Sequence, residues 1–253
     1  MTPDPRDGPA LPARLAGAPL DAIKCVAAVL MVGDHVDTIL LDGHAVLFWR
    51  LGRIAFPLFA FVAAVHLARG RPVGPYAAGL LLAGVPTQPV YAAAFPYGTT
   101  EANILFTLAA GTAFAAWLAA AGQIRHLALA AGLACALALP ALAKTGVDFG
   151  LAGLLVPGAI LLCLRGDAIG WFWLPAVIVA LNAVGWHPRG EAPVASALLD
   201  AGTVLVGSGA VILAASGLAG RARFLPRYAL QAFYPGHLGL LVALRAAGLT
   251  LPS

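Results

Sequence analysis

The chain has 253 residues, of which 61% are hydrophobic and only 10% charged, with a mean hydropathy of +0.89. A soluble domain carries roughly 25% charged residues, and 15 basic and 11 acidic side chains cannot clothe a globule of this size in a polar surface. Disorder, collagen and a water-soluble enzyme are excluded, which leaves an integral membrane protein with several helical spans.

Residues 1–19 are rich in Pro with charges of both signs and read as a flexible leader ahead of a single integral-membrane domain over 20–253. The first apolar run is long and carries polar residues, unlike a cleavable signal peptide. Cutting the remainder where charge, Pro and Gly cluster gives spans at 20–41, 45–68, 74–95, 103–121, 125–143, 149–164, 168–186, 193–218 and 229–248. The expected fold is an all-α polytopic bundle of about nine transmembrane helices. Cys25, Cys135 and Cys163 lie in apolar runs and read as small fillers, with no disulfide or metal framework.

Loop charge orients this bundle. With the N-terminus inside, the inner segments hold Arg6, Arg14, Arg69, Arg71, Arg125, Arg165, Arg221, Arg223 and Arg227, and the outer loops only Lys144 and Arg189. That asymmetry obeys the positive-inside rule and predicts an N-in, C-out topology. It also accounts for the formal net charge of +4 without a nucleic-acid partner.

Several ionisable residues fall inside the spans: Asp21, Lys24, Asp34, His35, Asp37, Arg50, Arg53, His66, His237 and Arg245. Each costs at least a few kcal/mol at mid-bilayer unless it faces the bundle interior or a wet cavity. For Asp21, His66 and Arg245, near helix ends, snorkelling or an interfacial pair suffices. Lys24 and His35, eleven residues apart, come within about 20° of one face of the first span, separated by roughly 16 Å along the axis. Asp34 is adjacent to His35, whereas Asp37 points away and reads as interfacial. Arg50 and Arg53 stack at i,i+3 on the second span, at a depth of roughly 7–12 Å from the outer end, against roughly 9 Å for His35.

A buried His beside a carboxylate is a general-base pair, and guanidinium groups at the same depth bind an anion or stabilise an oxyanion. Lys24, at the inner end, suits a phosphate. No Ser or Cys occupies a nucleophile position, which favours direct transfer over a covalent intermediate. Asn103 and Asp148 open the fourth and sixth spans and serve either as helix caps or as polar contacts. Trp186-His187 fits an interfacial aromatic belt. His237, in Tyr234-Pro235-Gly236-His237-Leu238, is the strongest isolated candidate.

Taken in order, Leu20-Asp21-Ala22-Ile23-Lys24, Gly33-Asp34-His35, Gly52-Arg53-Ile54-Ala55-Phe56-Pro57-Leu58-Phe59, Asn103-Ile104-Leu105-Phe106, Asp148-Phe149-Gly150 and Phe233-Tyr234-Pro235-Gly236-His237 resemble the TraX family of conjugal-transfer membrane proteins, including its TrbP-like members. The resemblance implies an inner-membrane acetyltransferase that moves acetyl from acetyl-CoA to the N-terminal amine of a conjugative pilin. It is similar also to the wider integral-membrane acyltransferases, in which a basic residue precedes a His by ten intervening positions, as Lys24 precedes His35. It implies His35 as base oriented by Asp34, Arg53 with Arg50 at the oxyanion, and donor phosphates near Lys24, Arg69 and Arg71. Asn103, Asp148, Tyr234 and His237 are expected around the acceptor. No metal is expected, and the partners are the pilin subunit and the lipid bilayer. Other readings stay open: head-to-tail joining of pilin ends, a glycan or lipid O-acetyltransferase, a proton-coupled transporter, or an assembly scaffold.

Overall fold

The computed structural model of the protein describes residues 11–95, 100–138, 146–184, 194–226 and 228–249. Lys144, Trp186, His187, Arg189, Arg6 and Arg227 lie outside the described residues.

The structure is almost wholly helical. A short α1 (Leu11–Arg14) precedes α2 (Ala18–Leu40), α3 (Val46–Gly52), α4 (Ala55–Ala68) and α5 (Val73–Ala94). Then come α6 (Ile104–Ala120), α7 (Ile124–Ala138), α8 (Gly150–Leu164), α9 (Gly170–Val184), α10 (Val194–Ser216) and α11 (Ala229–Ala246). Each expected span holds one helix, except the second, which holds α3 and α4. The helices begin and end where the apolar runs meet Gly, Pro and charge, as helix-terminating chemistry requires. A departure from the all-α expectation is a two-residue parallel pair, β1 (Glu101–Ala102) with β2 (Gly146–Val147), which ties the loop before α6 to the one before α8.

Among the described residues, two helical stretches are both long and apolar enough to cross a membrane, Val46–Ala68 and Ala195–Ser216. About nine spans are therefore not confirmed, although a helix or a pair of helices occupies each expected span. Helices 104–120, 124–138 and 150–164 are apolar but short. α2 is long enough but carries Asp21, Lys24, Asp34 and Asp37.

The packing separates inner from outer helices. α8 sits in the centre, with α6, α9, α4 and α7 around it, and is buried on most of its surface. α4 is likewise buried all round, as expected for a helix with no polar face. Close approach of α6 to α8 depends on small residues: a Cβ on Gly111 would press on the Leu154 carbonyl and the Pro157 ring at 3.1 Å. The rim, by contrast, exposes large apolar side chains: Val29, Leu82, Val206 and Leu213 are 71–76% accessible. An apolar exterior of this kind is stable against lipid and costly against water.

Residues 11–19, expected within the flexible leader, belong to the packed unit. Leu15 is fully buried, and the Ala18 N–H donates to the Arg221 carbonyl at 3.2 Å. Gly17 makes that junction with φ +78°, and a Cβ there would overlap the same carbonyl, so the position demands glycine.

The second span breaks between Gly52 and Ala55. Pro57 is the cause: it has no N–H to give to the Arg53 carbonyl four residues back, so the hydrogen-bond ladder is interrupted there. The Arg53 N–H still bonds the Trp49 carbonyl at 3.1 Å, and Arg53 keeps helical dihedrals, so the helical course runs on through the interruption.

Candidate functional site: a buried histidine pair above a basic-mouthed cavity

His35 leaves α2 about three turns above Lys24, and His237 leaves α11 just after Pro235. The two rings meet: His35 Nδ1 lies 2.8 Å from His237 Nε2, the planes are within 4° of parallel, and both residues are buried. His237 Nδ1 in turn lies 3.0 Å from the Phe233 carbonyl oxygen. Phe95 sets its ring edge-on to His35 at 5.2 Å, Phe233 stacks on His237 at 4.8 Å, and Tyr234 tilts towards both imidazoles. The partner of His35 is thus an imidazole from the other end of the chain, not the adjacent Asp34.

Asp34 faces α3 instead. A Cβ on Gly52 would overlap its side chain, so the helices touch there through a glycine, and its carboxyl lies within electrostatic reach of Arg53. Arg53 is anchored on α9, with Nε donating to Asn182 Oδ1 at 3.2 Å and Nη2 to the Leu181 carbonyl at 2.9 Å. Its guanidinium packs over the Trp49 and Phe149 rings at 5.5 and 4.9 Å. Arg50, expected beside Arg53, turns to α10 and pairs through Nε with Asp200 Oδ1 at 3.0 Å. The two guanidiniums thus turn to different helices, and it is the Arg53 charge that reaches Asp34 and Asp148. Asp37, expected at an interface, is fully buried and accepts the Ala45 N–H at 2.6 Å, holding the turn into α3.

Asn103 is a cap. Its Oδ1 accepts the Leu105 N–H at 3.1 Å, and its Nδ2 donates to the Gly84 carbonyl and Gln88 Oε1 at 2.9 Å. Asp148 stands just before α8, within electrostatic reach of Arg53 and Tyr234. Its N–H donates to the Ala102 carbonyl at 2.8 Å, and its own carbonyl accepts Thr107 Oγ1 at 2.6 Å. Burial pushes its carboxyl up to about 6, against the opposing pull of the Arg53 charge. Glu101 is pushed up to about 7, first by burial and then by the neighbouring Asp148.

Below the histidines a cavity of about 460 Å³ opens towards the Lys24 end. Its mouth is lined by Lys24, His66, Arg69, Arg71 and Arg223, its interior by apolar side chains such as Met31, Leu105 and Leu108, and its far end by Phe233 and Tyr234, which contact the imidazoles. Lys24 is not a bare charge: its Nζ donates to Asp21 Oδ1 at 3.0 Å. Asp21, expected to be interfacial, is fully buried, and its Oδ2 accepts the N–H groups of Phe224 and Leu225 at 3.1 and 3.0 Å. Arg245 is exposed in the last turn of α11, in line with a helix-end location.

Sequence reasoning missed Arg223, Asn182 and Asp200. Asn182 and Asp200 stand within the expected seventh and eighth spans. An Asp or Asn in a span is itself the signal that a partner exists, though not which one.

Fold and site together define a helical bundle of membrane type whose polar groups are turned inward around a buried imidazole pair and an amphipathic cavity. Within that class the chain belongs to the TraX family, since the family profile described as TraX protein matches residues 19–245. It is 32% identical to a protein TraX from Escherichia coli over 225 residues, covering 87% of this chain and 85% of that protein. A second protein TraX, from Escherichia coli strain K12, is 32% identical over 228 residues with the same shares covered. No solved structure matches the chain.

Proposed function

We propose that this protein is a multi-pass inner-membrane acyltransferase of conjugative pilus biogenesis, moving an acetyl group from acetyl-CoA to the N-terminal amine of a pilin. One observation supports the reading above the others: the cavity joins a cationic mouth to an apolar interior that ends against the aromatic residues around His35. A coenzyme A thioester has the matching shape, a polyanionic head on a long thin arm. Its phosphates would lie against Arg69, Arg71, Arg223 and Lys24, and its arm would run the roughly 16 Å of α2 that separates Lys24 from His35. A volume of about 460 Å³ falls within the range of small-molecule sites.

In this reading the amine nitrogen attacks the thioester carbonyl and the C–S bond breaks, releasing coenzyme A as the thiol. His35 takes the proton that the attacking amine loses and passes it to the departing sulfur. Arg53, held in place by Asn182 and Leu181, stabilises negative charge on the former carbonyl oxygen. Asp148, within electrostatic reach of Tyr234, offers a carboxylate to an incoming ammonium group. The acceptor, a short membrane helix, presents its N-terminus at the level of the base, and the basic mouth faces the cytoplasm as loop charge demands.

The test is the intact mass of the pilin from cells with this protein, without it, and with His35→Ala. The expected result is a gain of one acetyl group only with the wild-type chain. Equal masses in all three would exclude the reading in favour of a transporter or scaffold.

A further inference from the structure

The hydrogen-bond chain through the two imidazoles has a direction. A carbonyl oxygen only accepts, so the Phe233 carbonyl, 3.0 Å from His237 Nδ1, requires a hydrogen on that nitrogen. With both rings neutral, His237 Nε2 is then a lone pair, and the 2.8 Å contact requires that His35 Nδ1 carries the hydrogen between them. His35 Nε2 is left as the basic nitrogen. A charged pair would satisfy the same contacts only by holding an imidazolium among Phe95, Phe233 and Tyr234, a costly arrangement in apolar surroundings.

We infer that His237 is a positioning residue for His35: anchored on the Phe233 carbonyl, it holds the hydrogen of His35 on Nδ1 and presents Nε2 as the base. This is the place expected for Asp34, and the physical difference matters. A carboxylate would hold the ring equally well but would also favour its cation, whereas a neutral imidazole fixes the tautomer without adding charge. The inference rests on the acyl-transfer reading for the word base, but not for the tautomer.

The experiment is ¹⁵N NMR of the full-length protein labelled at histidine, with the His35 signals assigned by their loss in His35→Gln. The wild type is expected to show hydrogen on Nδ1 of His35. In His237→Leu that hydrogen moves largely to Nε2, the preference of an unconstrained imidazole. In His237→Gln, whose amide oxygen can accept in place of Nε2, it stays on Nδ1. In acetyl transfer, His237→Leu is expected to lower kcat on the order of 10²-fold with the donor KM little changed, and His237→Gln to restore most of it. A wild-type His35 with its hydrogen on Nε2 overturns the inference, as does a tautomer unmoved in His237→Leu protein whose helicity and melting are intact. Correct tautomers in a wild type that transfers no acetyl would remove the acyl-transfer reading and leave the assignment of the pair.

Discussion

Asp21 and Lys24, one turn apart at the start of α2, form an ion pair at 3.0 Å whose carboxylate also fastens the 223–225 segment across the cavity mouth. The charge expected to meet a ligand's phosphate is therefore already engaged, and its partner accepts two backbone N–H groups. The mouth is a built structure rather than a loose patch of basic loops.

Replacing that carboxylate tests the point. Asp21→Ala leaves the Phe224 and Leu225 N–H groups without their acceptor and is expected to cost about 1–3 kcal/mol. Thermal melting of the purified protein reads this cost. Donor KM should rise, with kcat changed little, because Asp21 lies roughly 21 Å along α2 from His35.

Arg50 and Asp200 act as a pair remote from the chemistry. Asp200 is buried while Arg50 is about a third exposed, so solvent screens part of the loss when one partner goes. Arg50→Ala is expected to destabilise by about 1–3 kcal/mol, and Arg50→Ala with Asp200→Ala by less than the single change, since no lone carboxylate then remains buried. Acetyl transfer by the double variant should stay within about threefold of wild type, whereas Arg53→Ala should lower it on the order of 10²-fold. A melting cycle with transfer rates on the same four proteins decides both.

Gly52 is a spacer. An added Cβ would overlap the Asp34 side chain close to its backbone, where no rotamer can relieve it. Gly52→Ala should cost about 1–3 kcal/mol by overpacking, while Gly202→Ala, with open space around it, should stay within about 0.5 kcal/mol. The difference in melting temperature between the two proteins is the measurement.

Glu101 makes stability fall as pH rises. Its carboxyl is lifted from 4.5 to about 7, so the folded chain holds a proton that the unfolded chain has lost, and stability declines between those values. Glu101→Gln removes this contribution and leaves that of Asp148. It should melt above wild type at about pH 8, with the gap closing by about pH 5. A constant gap across that range would contradict the assignment.

How much of this was legible beforehand varies by level. Helix positions were legible, because long apolar runs interrupted by Gly, Pro and charge leave little choice of where a helix starts and stops. The level of the site was legible too, since Lys24 and His35 lie on one helix and their spacing follows from its geometry. Asp34 was misassigned as the partner of His35 because adjacency in sequence turns two side chains about 100° apart on a helix. Arg50 and Arg53 are expected together because i,i+3 positions stack on a helix, but their partners on α10 and α9, Asp200 and Asn182, draw the two side chains apart.

By itself the sequence determined the class of protein, the order of its helices and the residues too polar to face lipid, all consequences of composition and local periodicity. Only the tertiary structure decided which of those polar residues meet. His237 reaches His35 from 202 residues away, and Asn182 reaches Arg53 from 129. No local pattern encodes such pairings, because they are set by how helices rotate and pack against one another. In an apolar interior each buried polar group must find a partner, but packing alone chooses which.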